Sequence, residues 1–162
     1  MSVPVISRPT APKAYGFSTQ KKGMLSWDTV RDALAAATLY WIGTTRPDGG
    51  SHIHPIWGGW VDETGYFEGG DTTRWARNLI RDPRVSFGVD SKGIHISGRG
   101  VVTKGPAGAQ FGELGANYEV KYEYRPEADG SFWKIAPEVI IALDMSSMDS
   151  FATSPTRFTF EQ

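Results

Sequence analysis

Apolar and polar positions change period twice along this chain. In SWDTVRDALAAAT, residues 26–38, Val30, Ala33, Leu34 and Ala37 recur at helical spacing behind a serine suited to capping, with Asp28 in the first turn. That pattern predicts an amphipathic helix ending near Thr38. Beyond it the period shortens. LYWIGTT, SHIHPIWGGWV and YFEGG are extended runs separated by RPDGG and DETG, and they read as three strands joined by two tight hairpins. A short helix is predicted over residues 73–81, stopped by Asp82 and Pro83, because the residue before a proline is driven out of the helical region. RVSFGV and IHISGRGVVTK give two more strands about DSKG, residues 106–122 give a glycine-broken helical stretch, and FWKIAPEVIIALDM gives a sixth strand.

Three hairpin-linked strands before the second helix and three after it do not alternate with helices, so a parallel sheet of βαβ units is not expected. The outline is a mainly β fold: a small closed antiparallel barrel of six strands with a few helices covering its ends. Residues 1–23 carry Pro4, Pro9, Pro12 and KKG without a sustained period, and are expected to form an arm, irregular or draped over a single domain at 24–162. Gly58, Gly59, Gly69, Gly70, Gly98 and Gly100 fall in or at the ends of strands, where they suit bends at barrel corners or the close approach of a flat ligand.

Composition narrows the function classes. A chain of 162 residues with 40% hydrophobic content builds one core, and a net charge of −1 gives no global basic field, so nucleic-acid binding is not expected and an anion site must be local. The absence of cysteine removes disulfides, thiolate nucleophiles and cysteine-ligated metals. No leader pattern and no long apolar run is seen, so a cytoplasmic protein without a membrane partner is expected. Neither a nucleophile elbow nor GxGxxG nor a P-loop occurs.

His52 and His54 alternate onto one strand face with Ile56, an HxH spacing that metal sites use, yet His95 is the one other histidine and no acid stands beside the pair. No metal is expected; the pair should line a ring pocket or a subunit seam. His95 and Arg99 fall on a polar strand face and are expected in solvent. Most of Trp41, Trp57, Trp60, Trp75 and Trp133 should be core or subunit interface.

The local anion site is legible in GGDTTRWARNLIRDPRVSF, residues 69–87. At 100° per residue from Arg74, Arg77 falls at about 300°, Asn78 at about 40° and Arg81 at about 340°, while Trp75, Ala76, Leu79 and Ile80 lie between about 100° and 240°. One helix face is cationic and the other apolar. Arginines beside the amides of Thr72 and Thr73 suit phosphate or carboxylate. The alternative is a solvated face on which Arg74 and Arg77 pair with Asp71 and Asp82.

YWIGTTRPDGGSHIHPIWGGWVDETGYFEGG followed by TTRWARNLIRDPRVSF resembles the pyridoxamine 5'-phosphate oxidase-like superfamily of flavin and deazaflavin split β-barrels, and most of all its branch that uses coenzyme F420. GMLSWDTVRDAL is similar to that branch's leading helix and SPTRFTF to its C-terminal end. The resemblance implies a homodimer of six-stranded split barrels with the cofactor ring in a cleft between subunits, near His54, Pro55, Ile56 and Trp57. Gly69, Gly70, Thr73, Arg74, Arg77 and Asn78 would hold the ribityl and phosphate portion. Trp75 stands where the family often has lysine. The implied activity is hydride transfer between F420 and a small organic acceptor, in a pocket framed by Trp57, Trp60 and the arm. FMN in an oxidase or flavin reductase, and a barrel that binds a cofactor or tetrapyrrole without turnover, are the alternatives.

Overall fold

The computed structural model describes residues 3–161; residues 1, 2 and 162, at the ends of the expected arm and domain, lie outside them. Helix α1 (Trp27–Ala36) starts where the sequence places it, with the Ser26 side chain accepting from Thr29 N at 3.1 Å. Its buried stripe, Trp27, Val30, Ala33 and Leu34, packs into the main core with Ile42, Ile140 and Phe158.

The sheet is antiparallel throughout its ladders, but among the described residues it has nine segments instead of six. Strands β2 (Tyr40–Thr45), β6 (Arg84–Ser91), β7 (Ile94–Gly105) and β8 (Phe132–Asp144) follow the expected runs. The run predicted as one strand over residues 51–61 divides into β3 (Ser51–Ile56) and β4 (Gly59–Val61), and β4 pairs with β5 (Thr64–Phe67). The chain turns at Trp57 and Gly58. A Cβ on Gly58 would lie 2.9 Å from Tyr66 O and 3.1 Å from the Tyr40 ring, so only glycine fits that corner without displacing them.

The other two extra segments come from the chain ends. Within the expected arm, β1 (Val5–Ser7) pairs with β9 (Thr156–Thr159), which itself lies along β8. The arm is otherwise largely irregular, and it is tethered: the Arg8 guanidinium donates to the carbonyls of Gln20, Lys22, Thr153 and Pro155 at 2.5–2.9 Å. A final helix, α4 (Met148–Thr153), has no counterpart in the sequence reading.

Followed from partner to partner, the ladders run β3, β2, β6, β7, β8, β5, β4, and β8 shares one edge between β5 at its start and β9 further on. No ladder joins β3 to β4, so the sheet is open there and not closed as the sequence led one to expect; the two strands are linked only through the covalent corner at Trp57 and Gly58, an arrangement consistent with a split barrel. Helix α2 (Arg74–Arg81) lies against β2 and β3, and α3 (Phe111–Tyr122) against β4. The glycine-broken stretch is a 3₁₀ turn at Gly108–Gln110 followed by one uninterrupted helix. Under α3 sits a second, smaller core of Val61, Tyr66, Leu114, Tyr118 and Phe132.

Candidate cofactor site at the second helix and the barrel corner

Helix α2 is capped by Thr73, whose hydroxyl accepts from Ala76 N at 3.3 Å and donates to Gly70 O at 3.0 Å. The Thr73 amide is also engaged, with Gly70 O at 3.2 Å, so the amides without an acceptor inside the helix are those of the first helical positions, exposed Arg74 and buried Trp75. On the apolar face Trp75, Ala76 and Leu79 are buried as predicted, whereas Ile80 stays exposed.

The cationic face is built from Arg74, Arg77 and Arg81, all exposed. Arg77 Nε reaches back to Thr72 O at 3.0 Å, and Arg81 is bonded to Thr45 O on β2. The acids that could neutralise Arg74 and Arg77 are committed elsewhere. Asp71 pairs with Lys104, and Asp82 meets Arg84 at 2.6 Å with a second contact at 2.9 Å, which holds its carboxyl down at about 2. Among the described residues Arg74 and Arg77 therefore have no carboxylate partner, contrary to the solvated ion-pair alternative.

Asn78, assigned by its helical angle to the cationic side, is instead turned to the sheet. It is 1% exposed and its Nδ2 donates to Thr44 Oγ1 at 3.0 Å, so it ties α2 to β2. Its distance around the helix from the arginines is small, but at about 40° it meets β2 first.

Gly69 and Gly70 lie exposed just before the helix. A Cβ on Gly69 would fall 2.3 Å from the Trp75 ring, which accounts for that glycine by packing alone, whereas the space around Gly70 is open. Trp75 is 3% exposed, edge-on to Phe67 and Trp133 at centroid distances of 5.3 and 5.4 Å. At this position a large ring completes the core, and no cation can stand there.

Strand β3 presents its residues alternately. His52, His54 and Ile56 lie opposite Thr44, Ile42 and Tyr40 of β2, whose side chains are buried, and so share the inward face. The imidazoles of His52 and His54 are nearly parallel, 6.3 Å apart, and His52 Nδ1 is buried with no partner. No group of three metal-ligating side chains occurs among the described residues. His52 lines a pocket of about 360 Å³ with Arg46, Pro47, Asp48 and Arg74. Pro55 and Ile53 lie on the opposite, exposed face with Trp41 of β2. The four expected ring contacts are therefore divided: His54 and Ile56 face inward, Pro55 faces out, and Trp57 stands at the corner.

Trp57 is 54% exposed, and one face of its indole is stacked on Tyr122 at 4.5 Å and 7°. The pocket beside it, about 570 Å³, is lined by Thr38, Leu39, Val120, Lys121, Tyr122 and Glu123. Trp60, expected to frame this pocket, is in the core at 2% exposure with its Nε1 on Asp62 O at 2.9 Å. The arm, expected as another wall, is bonded instead along β9 and the α4 region.

Two side chains that the sequence reading missed control the corner. Tyr122 Oη accepts from Gly58 N at 3.0 Å and has Gly58 O at 2.9 Å and Thr38 O at 3.1 Å as acceptors for its proton. Lys121 Nζ donates to Gly58 O at 2.5 Å and lies 5.2 Å from the ring centroids of both Tyr40 and Tyr122. Burial without a carboxylate partner lowers its pKa to about 7. The signal available beforehand was YEVKYEY at residues 118–124, an aromatic and basic cluster at the end of a helix.

Residues 26–144 match the pyridoxamine 5'-phosphate oxidase family. The chain belongs to that family. No curated protein matches it. Solved structures share the fold of this family member: an F420 reductase at 23% identity, TM-score 0.54, covering 68% of this chain and 94% of that one. A conserved hypothetical protein from Mycobacterium tuberculosis is similar at 20% identity and TM-score 0.62, over 74% of this chain and 85% of that one. A heme binding protein from Mycobacterium smegmatis aligns at 16% identity and TM-score 0.57, over 90% and 63% respectively.

Proposed function

We propose that this pyridoxamine 5'-phosphate oxidase family member is an F420-dependent reductase working as a homodimer, its site formed along β3 between the arginine face of α2 and the Trp57 corner. The observation that carries the reading is the pair Arg74 and Arg77, two guanidinium groups at a helix start whose neighbouring acids are already neutralised by Lys104 and Arg84. Such a face is suited to oxygen anions, and F420 carries a phosphate and carboxylates. A fold neighbour described as an F420 reductase supports the same choice.

The residues present fit the group. Arg74 and Arg77 would hold the phosphate from one side, with the amide of Arg74 at the helix start. Gly70, with open space about its Cα, would admit the ribityl chain close to backbone. His54 and Ile56 would meet the ring from the inward face of β3. When bound, a deazaflavin supplies a hydride for an activated double bond or imine. The protein's part is to bind, to orient and to keep water from the ring, and the exposed apolar surface of Trp41 and Ile53 would be covered by a second copy of the chain.

The same arginine face serves the phosphate of FMN, which makes an FMN-dependent oxidase or flavin reductase the second reading. Titration of F420, FMN and haem into the purified protein, followed by fluorescence or absorbance, separates them. Tightest binding of F420, with hydride transfer from its reduced form to an added acceptor, is expected. Tighter FMN binding would establish the second reading, and tight haem binding without turnover would replace both with a non-catalytic barrel.

A further inference from the structure

The corner at Trp57 and Gly58 is held from outside the barrel by the last turn of one helix. Gly58 falls in the break between β3 and β4, outside any ladder, and both of its backbone polar groups are met by α3: the amide by Tyr122 Oη, and the carbonyl by Lys121 Nζ at 2.5 Å. The Tyr122 ring then covers one face of the Trp57 indole, nearly parallel at 7°. Backbone and ring are thus fixed by one tyrosine.

A half-exposed tryptophan would ordinarily sample several rotamers, and ordering it on a ligand would cost side-chain entropy at the moment of binding. Here that ordering is already done, while about half of Trp57 remains exposed beside the pocket it lines. Lys121 reinforces the arrangement, since its ammonium sits over both the Tyr40 and Tyr122 rings, and Tyr40 is itself anchored by its hydroxyl to Leu34 O at 2.5 Å.

We infer that Lys121 and Tyr122 are positioning residues that hold Trp57 as a preformed stacking platform for a planar conjugated ring. The inference rests on the reading that this protein binds a flavin-type ring, and it adds which residues prepare the protein for that ring. Neither residue need touch the reacting atoms. Tyr122 acts through a stacked ring and two backbone bonds, Lys121 through one carbonyl and two aromatic faces.

The test has two arms. Protein carrying 5-fluorotryptophan has six fluorine resonances, one for each tryptophan of the sequence. The Trp57 line is the one absent from Trp57→Phe. In Tyr122→Leu and Lys121→Met that line should shift and broaden, while the lines of the buried Trp27, Trp60, Trp75 and Trp133 stay in place, which also reports that the variants fold. Tyr122→Phe keeps the stack and loses the hydroxyl bonds, and should move the line less.

The second arm is a double-mutant cycle on the dissociation constants of F420 and FMN. Tyr122→Leu should weaken binding roughly two- to tenfold, the value of one aromatic pair, and should cost nothing further in a Trp57→Leu background. An unmoved Trp57 line, or an equal penalty in both backgrounds, overturns the platform and leaves the cofactor reading standing. A wild-type protein that binds neither F420 nor FMN overturns the cofactor reading itself, and the platform with it, whatever the fluorine lines show.

Discussion

At the scale of single residues the site is defined by which charges lack partners. Arg74 and Arg77 point away from Trp75 and Leu79, so replacing both with alanine should leave the fold intact. Charge-assisted hydrogen bonds are worth about 1.5 to 3 kcal/mol each, and losing one should weaken F420 binding about ten- to a hundredfold. Added salt should weaken the wild type more than the double variant, which has fewer ionic contacts to screen. Equal dissociation constants for the two proteins, measured by fluorescence titration, would reduce the arginine face to solvated surface. Lys121 gives a second residue-scale expectation. Its folded pKa, about 7, lies below the ordinary lysine value of 10.5, so between those limits the unfolded chain binds more protons and stability should rise with pH. Above about 10 the trend should reverse, because burial raises Tyr40 and Tyr118 well above their ordinary value of 10.0 and the unfolded tyrosines ionise first. Urea midpoints between pH 6 and 11 should show the rise in wild type and a flat profile up to pH 10 in Lys121→Met.

At the scale of elements, the position at which the family often carries lysine is decided by packing. Trp75 fills the space between Phe67, Trp133 and Gly69, so Trp75→Lys should not restore a phosphate ligand; it should destabilise the protein by about 3 to 5 kcal/mol and lower its melting temperature. Helices α1 and α2 and the strands β2, β6, β7 and β8 were legible because their cores are periodic and their ends carry local signals, such as Ser26, Thr73 and Pro83. The division of the run over residues 51–61 was not, since SHIHPIWGGWV keeps an extended composition through Trp57 and Gly58. What breaks it is Tyr122, sixty-four residues away. The three-residue β1 was hidden for a similar reason: its pattern is too short to show a period, and it exists by pairing with β9. Asn78 shows the limit of helical-wheel reasoning, because an angle places a side chain on a face but cannot say which neighbouring strand that face meets.

At the scale of the whole molecule, the surface that lacks a cover is the outer face of β2 and β3. Trp41 is 44% exposed and Ile53 66%, on adjacent strands, where Trp41 lies opposite Pro55. Four of the six tryptophans are in the core, and with Trp57 turned to the proposed ring site, Trp41 is the one left to serve a seam. A dimer through this face is expected at micromolar concentration, and Ile53→Lys should yield the monomer by light scattering without changing the far-ultraviolet circular dichroism. Wild-type protein of monomer mass would remove the second copy from the reading. One further consequence follows from the arm. Val5 lies directly opposite Thr159 in the antiparallel pair of β1 and β9, a separation of about 5 Å between Cα atoms. A linker of a few residues could join the chain there, and new ends could be opened at the exposed Lys92 and Gly93, in the tight turn between β6 and β7. Such a circular permutant should fold to the same barrel, since every strand would keep its partners and only the order in which a ribosome delivers them would change.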